Sequence, residues 1–259
     1  MAITTEAGYI AAKAGGSYKR FQKTSIANAV AGGIQSMWRS TGPFPAQPAI
    51  PGAAALCDRT TPGALELPAV NGANTRYIDA FSLLSTTAGQ VRFVDRVIHN
   101  GNLNGTVITA QAVNTPALPA RAPALACDWF IEVYTDLGAT GVNATVALTY
   151  TDATTANIVV AVPATARAGR MLPIAPTTGK VIASVQSVTL SATTGAVGAF
   201  GITAQQEIGV NATVIAANLG DKDAAMVLPI PADACLALCV DCSTSNTGDL
   251  RCGYRIIEG

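Results

Sequence analysis

Charged side chains are scarce in this sequence of 259 residues. Lys, Arg, Asp and Glu make up 12% of the chain, whereas an average globular domain carries about 25%. The 16 basic and 16 acidic residues cancel, so the chain as a whole has no electrostatic attraction for nucleic acid or an anionic membrane. With so few charges, little of the protein surface is suited to keeping a monomer in solution. We therefore expect other subunits to cover much of the protein surface.

Long apolar runs and targeting signals are also missing. No stretch of 18 apolar residues occurs, so the sequence predicts no membrane-spanning helix. The first ten residues lack the basic start of a signal peptide, and Lys13, Lys19 and Arg20 would interrupt an apolar signal segment after them. We therefore expect the protein to be made in the cytoplasm.

Residues for catalysis are few. His99 is the single histidine, and Asp95, four residues earlier, would lie about 13 Å away along a strand, too far to orient it. The sequence contains no glycine-rich phosphate loop, no HExxH and no nucleophile elbow. Asp221 and Asp223 flank Lys222 in a predicted turn, where a solvated turn is favoured over a Ca²⁺ site. The sequence thus predicts no catalytic residue, no cofactor and no metal site, and favours a structural role for His99.

The first 41 residues are predicted to form a helical N-terminal arm. Thr4 or Thr5 before Glu6 predicts a helix start, and Gly15-Gly16 a helix end. A second helix is predicted from Thr24-Ser25, because apolar residues recur at spacings of three and four. This apolar stripe packs either on the chain's own core or on a neighbouring subunit. Its members, the candidate arm contacts, are Ile26, Val30, Ile34, Met37 and Trp38.

Residues 42–52, GPFPAQPAIPG, are rich in proline and predict an extended, semi-rigid linker between the arm and a body at 53–259. Contacts of the arm are expected to be mainly intermolecular. Its basic residues outnumber its single acid, Glu6. A basic arm can bind nucleic acid, but docking on an acidic protein neighbour is favoured.

The body shows alternating apolar residues and turn chemistry, which predict about twelve short strands. These are expected at 76–84, 90–99, 106–113, 128–135, 143–151, 157–162, 183–192, 199–206, 212–217, 225–230, 235–243 and 250–257. Helices long enough for parallel crossovers are absent from the pattern after residue 40. The fold class predicted is therefore mainly β: an antiparallel β-sandwich or jelly-roll-like body, either undivided or split into two subdomains near 114–127.

Six cysteines are present, and four of them lie in the last 25 residues. A hairpin centred on Thr247 would place Cys242 opposite Cys252, at a spacing that suits a disulfide. Cys239 and Cys242 have the spacing of half a zinc site, but the sequence has no second pair after them and buried thiols are favoured. Cys57, next to the linker, is the candidate for a bond between subunits.

Three segments carry a family resemblance. Residues 90–112 read QVRFVDRVIHNGNLNGTVITAQA, residues 184–204 read SVQSVTLSATTGAVGAFGITA, and residues 234–249 read ACLALCVDCSTSNTGD. In these stretches, the chain resembles structural, head-decoration or head-associated proteins of tailed-bacteriophage virions. The similarity extends over roughly residues 75–259, and it implies a β-rich virion subunit with no catalytic residues to transfer. The cysteine content is high for such proteins.

The function expected from this resemblance is a capsid decoration or cement protein, made in the host cytoplasm and built into the virion. Its expected partners are other virion proteins, foremost the major capsid protein, and further copies of itself, for which a trimer would suit three-fold capsid sites. A neck, collar or fibre-anchoring protein is the alternative, and a receptor-binding module is a third. An enzyme is the least favoured class.

Overall fold

A computed structural model describes residues 2–27, 29–214, 219–223 and 229–259. The described residues form one α-helix, α1 (Glu6–Ala14), a 3₁₀ turn at Ala124–Ala126, and sixteen strands. The strands are β1 (Ser17–Lys23), β2 (Ile34–Ser36), β3 (Ala55–Leu56), β4 (Arg76–Ser85), β5 (Gly89–His99), β6 (Leu103–Asn104), β7 (Gln111–Ala112), β8 (Cys127–Val133), β9 (Val142–Tyr150), β10 (Thr155–Val162), β11 (Arg170–Pro173), β12 (Ile182–Leu190), β13 (Ala199–Val214), β14 (Leu219–Asp223), β15 (Leu236–Cys242) and β16 (Leu250–Glu258). The predicted fold class, mainly β and antiparallel with a short N-terminal helix, is confirmed.

Six strands close into a barrel at the centre of the molecule. In the order β5, β15, β2, β11, β8, β13, each strand pairs with the next, and β13 pairs again with β5. Every pairing in this ring is antiparallel. The short strands β3 and β6 extend the ring at its margins by pairing with β5 and β13. Because the ring closes, these six strands leave no free edge among themselves.

Two four-stranded sheets pack against the outside of this barrel. One has the order β1-β16-β4-β14 and the other the order β10-β9-β12-β7. Side chains alternate along the barrel strands, as they do in any strand. In β8, Ile131 and Val133 face the core shared with β9 and β12, while Phe130 faces the barrel interior. Leu236 and Leu238 of β15 face a separate core shared with β4 and β16. The body is thus a sandwich with the barrel as its middle layer.

The first predicted helix is confirmed, and the second is wrong. Thr5 caps α1 by accepting a hydrogen bond of 3.1 Å from the backbone N–H of Gly8, and the helix ends at Gly15. The segment from Thr24 to Trp38, in contrast, contains no helix among its described residues; a turn at Gly32, where φ is +74°, leads into β2. Pairing of β2 with two barrel strands outweighs the weak local helical pattern.

The five candidate arm contacts are consequently separated from one another. Met37 and Trp38 are buried in two different cores of this chain, whereas Val30 is exposed. Ile26 and Ile34 are half-buried and pack against the cores of the same chain. The five residues therefore do not form one continuous stripe.

Residues 42–52 lie on the body instead of separating two parts of it. Asn100 Nδ2 donates to the Gly52 carbonyl over 3.1 Å, and Ile50 packs against the core that fills the barrel. On the N-terminal side of this segment, all seven residues of β1 pair with β16. Strands that precede and follow residues 114–127 likewise belong to the same barrel. Strand β5 precedes this segment and pairs with β13 and β15, which follow it.

Two further expectations concern residues 221–230. Asp221 and Asp223 lie in β14, which pairs with β4, and not in the turn that was predicted. The predicted strand at 225–230 lies largely outside the described residues.

Candidate functional site: the interior of the barrel

A buried ion pair occupies the barrel interior. Arg96 of β5 donates from Nη2 to Oε2 of Glu132 of β8 over 2.6 Å, and the two side chains are 1% and 0% exposed. Thr203 of β13 hydrogen-bonds both members of the pair, as does Tyr134. The Arg96 guanidinium also lies 4.6 Å from the centre of the Trp38 ring, close enough for a cation–π contact.

Both members of this pair hold their charge. Burial by itself would raise the pKa of Glu132, but the charge of Arg96 and the hydrogen bonds with Arg96, Thr203 and Ser36 together lower it below its ordinary value. Burial would lower the pKa of Arg96, but the charge of Glu132, together with Tyr134 and Cys57, raises it. Each charge is compensated by the other and by hydroxyl groups, so the pair suits a structural role in which neither group is offered to a substrate.

Two cysteines from distant parts of the chain meet beside this ion pair. The N–H of Cys57 donates to the carbonyl of Val97 over 2.9 Å, and the N–H of Arg96 donates to the carbonyl of Cys235 over 2.9 Å. Cys57 and Cys235 therefore lie next to each other along the same edge of β5, opposite Val97 and Arg96. Cys57 directly follows β3, and Cys235 directly precedes β15. Both side chains are fully buried, and we call them the thiol pair.

His99 completes this end of the barrel. Its Nδ1 accepts a hydrogen bond of 3.3 Å from Nε of Arg96, and its ring meets the Trp38 ring edge-on at 5.8 Å. Cys57 lies close enough to Cys235 and to His99 for both neighbours to affect its pKa. His99 lies at a strand end, as the sequence predicted, but its cysteine neighbours were not predicted.

The two thiols differ strongly in acidity. Burial would raise the pKa of Cys57, but the neighbouring Cys235, His99 and Arg96 together lower it to about 5. Burial and the adjacent Cys57 raise the pKa of Cys235 well above its ordinary value. At neutral pH the pair therefore holds one thiolate and one thiol, which is the state required of a nucleophile and its partner.

The predicted hairpin between Cys242 and Cys252 does not form. Cys242 lies in β15 and is opposite Gly89 of β5, whereas Cys252 lies in β16 and is opposite Leu83 of β4. The two strands belong to different layers, because the turn at residues 243–249 crosses from the barrel to the outer sheet. Both cysteines are free thiols, and burial raises the pKa of Cys242 to about 11 and that of Cys252 to about 12.

Cys57 was expected to be available to a second subunit, and the structure places it in the chain's own interior instead. Its side chain is 0% exposed and belongs to the core that fills the barrel. Cys239 also faces this core, while Cys242 faces another, so the predicted half zinc site is split between two faces. Within the described residues, no group of three or more His, Cys, Asp or Glu side chains is placed to hold a metal ion.

The outer face of the sheet β10-β9-β12-β7 is a candidate interaction surface. None of these four strands, all of them fully described, contains a charged residue. Residues that point outward are small or polar, such as Thr145 and Thr149 of β9, and Val159 of β10 is 61% exposed. Strand β10 is also an edge strand, so one side of its backbone is unpaired among the residues that the structure describes. We call this area the uncharged face.

Comparisons with known proteins identify no family. No protein-family model and no curated protein matches the chain. Two solved structures of infectious bursal disease virus are weakly similar: the Gx strain, at 10% identity and a TM-score of 0.18, and the VP2 subviral particle, at 9% identity and a TM-score of 0.17. The first match covers 94% of this chain and 80% of that one, and the second covers 93% and 80%. TM-scores this low do not define a shared fold.

No helix among the described residues combines the length and the apolar character needed to cross a membrane.

Proposed function

We propose that this chain is a structural subunit of a virus particle, and specifically a capsid decoration protein of a tailed bacteriophage. The uncharged face is the observation that carries the proposal. Hydration contributes little free energy to a sheet surface without charges, so little hydration free energy is lost when another protein covers that surface. The resemblance of residues 90–112, 184–204 and 234–249 to phage virion proteins supports the same role.

The proposed role requires no catalysis by this chain. In the barrel interior the charged groups compensate one another, and the uncharged face presents mainly small or polar side chains. The proposed partners are the major capsid protein and further copies of this chain, with a trimer suited to three-fold sites. The protein would be made in the host cytoplasm and would act in the assembled virion.

Copy number in purified particles tests the particle role. Quantitative mass spectrometry should count this chain in the hundreds per particle if it decorates the capsid, whereas a neck, collar or fibre anchor would give about a dozen copies or fewer. Absence of the chain from purified particles would contradict the whole proposal.

A single substitution tests the uncharged face. Val159→Lys should weaken association by about tenfold or more, because the new charge would have to lose its hydration when the face is covered. Sedimentation equilibrium measures self-association, and occupancy on particles measures binding to the capsid.

Ile10→Lys is the matched control for this substitution. Ile10 is 60% exposed, nearly as much as Val159, but it lies on α1, which contacts the opposite sheet. The control should associate like the unchanged protein. If association falls equally in the two variants, the uncharged face has no special part in assembly.

A further inference from the structure

We propose that Cys57 and Cys235 form a redox-active dithiol, which a hydroperoxide oxidises to an intramolecular disulfide in the folded protein. The thiol pair differs from the disulfide predicted from the sequence, and the inference does not depend on the role in a virus particle. It rests on the positions of the two cysteines along β5 and on the groups that surround them.

The backbone places the two cysteines within the reach of a disulfide. Consecutive positions along a strand are about 3.3 Å apart, so the Cα atoms of Cys57 and Cys235 fall within the limit of about 7 Å for a disulfide. Val97 forms a β-bulge here, since Ala204 pairs with Ile98 and Gln205 with Arg96. Bulges redirect side chains, and both cysteines belong to the same core, which fills the barrel.

The surroundings assign a different part to each sulfur. Cys57 is the nucleophile, because the neighbouring Cys235, His99 and Arg96 lower its pKa to about 5. Cys235 remains a thiol until Cys57 has reacted, because burial and the adjacent Cys57 raise its pKa. His99 is half-buried beside the Arg96 guanidinium.

The oxidation balances in two steps. The Cys57 thiolate attacks one oxygen of the hydroperoxide and the O–O bond breaks; with hydrogen peroxide, the leaving hydroxide takes a proton from solvent and departs as water. Cys57 is now a sulfenic acid. Cys235 then attacks the Cys57 sulfur and releases its proton; the S–O bond breaks, and the leaving hydroxide takes up a proton and departs as water. Two thiols have lost two electrons, and the peroxide has gained them.

Access to this buried pair is through the margin of the barrel. Strand β3 has only two residues, both are exposed, and Leu56, next to Cys57, is 46% exposed. A strand this short at an edge opens locally at little cost in free energy. Opening of β3 uncovers Cys57 to an oxidant of nearly the size of water without unfolding the barrel.

Peptide mapping of the intact protein tests the proposal. The folded, reduced chain is exposed to hydrogen peroxide at pH 7, remaining thiols are alkylated under denaturing conditions, and peptides are separated without reduction. We expect a linked peptide containing Cys57 and Cys235, lighter than its two parts by two hydrogen atoms. Free thiols at both positions, or a linked pair that joins other cysteines, would overturn the proposal.

Variants distinguish the two sulfur atoms. In Cys235→Ser, oxidation should stop at a sulfenic acid on Cys57, which dimedone traps. In Cys57→Ser, Cys235 should stay reduced under the same conditions. His99→Gln should slow the oxidation of Cys57 about twofold at pH 6, since raising a pKa of about 5 by one unit lowers the thiolate fraction from about nine-tenths to about one half. Equal reactivity of Cys57 and Cys235 in the two single variants would contradict the assigned roles.

Cys127 supplies the internal control. It is more exposed than either member of the thiol pair, but burial and the nearby Asp95 and Asp128 raise its pKa to about 11. Peroxide should therefore oxidise Cys57 before Cys127, and Cys127→Ser should leave the yield of the linked peptide unchanged. Oxidation in the order of exposure, with Cys127 first, would show that accessibility and not acidity controls these thiols, and would overturn the proposal.

Discussion

Replacing Glu132 with Gln should lower the free energy of unfolding by about 3–5 kcal/mol, the usual cost of leaving one member of a buried ion pair without its partner. The substitution keeps the size of the side chain but removes its charge, so Arg96 would remain in the barrel with its positive charge uncompensated. Equilibrium unfolding in urea measures the loss. Trp38 lies against Arg96 and reports the transition by its fluorescence.

An exposed ion pair provides the control for this experiment. Arg167 Nη1 lies 2.5 Å from Oδ2 of Asp136, but the two side chains are 39% and 48% exposed. Arg167→Ala should cost less than about 1 kcal/mol, because solvent already screens the pair. A similarly small loss in Glu132→Gln would mean that the buried pair contributes little net stability and that the barrel tolerates an unpaired arginine.

The same carboxylate should make the stability of the protein depend on pH in the acid range. The pKa of Glu132 is lower in the folded protein than its ordinary value of 4.5. A lowered pKa stabilises the folded state above the unfolded-state value, and this contribution is lost as the pH falls through the folded-state value. Below pH 4.5, stability should therefore fall less steeply in Glu132→Gln than in the unchanged protein.

Deleting residues 1–52 should abolish cooperative folding. The deletion removes β1, which pairs along its whole length with β16, and β2, which closes the barrel between β15 and β11. It also removes Met37 and Trp38, which are 1% and 2% exposed. Truncating a single buried side chain of this size costs about 2–5 kcal/mol, and a whole domain is stable by only about 5–15 kcal/mol. Thermal unfolding measured by circular dichroism tests this expectation.

A shorter deletion separates the helix from the strands after it. None of the residues of α1 is buried, so removing residues 2–14 should leave a cooperative transition. The midpoint should fall by a few degrees, about 2–4 °C for each kcal/mol lost in a chain of this size. A sharp transition in the protein without residues 1–52 would restore the view that this segment is an arm for contacts with other subunits.

Some strands were predictable because their signal is local. Strand β4 begins at Arg76 and β5 ends at His99, as the alternation of apolar residues predicted. The stripe from Ile26 to Trp38 has helical spacing only by coincidence, since its members are divided between different cores. The turn at residues 243–249 was also recognisable, but turn residues do not determine whether the flanking strands pair with each other. That choice depends on β5 and β4, which lie far away in the sequence.

The barrel interior was not predictable in the same way. Arg96 and Glu132 each stand in an apolar strand, and no local pattern indicates that they meet. Cys57 and Cys235 come together only because β3 and β15 use the same side of β5. The number of cysteines and the single histidine can be read from the sequence, whereas their arrangement depends on the order of the strands around the ring.

The closed ring also has a consequence for biosynthesis. Strand β2 is the first barrel strand along the chain, yet its two neighbours are β11 and β15, and β15 is the last barrel strand to be synthesised. The ring therefore cannot close until β15 has emerged from the ribosome. Non-local strand pairing of this kind slows folding and exposes unpaired strands while it is incomplete. We expect the nascent chain to depend on chaperones until β15 has been synthesised, and synonymous codon changes upstream of β15 to have little effect on the yield of folded protein.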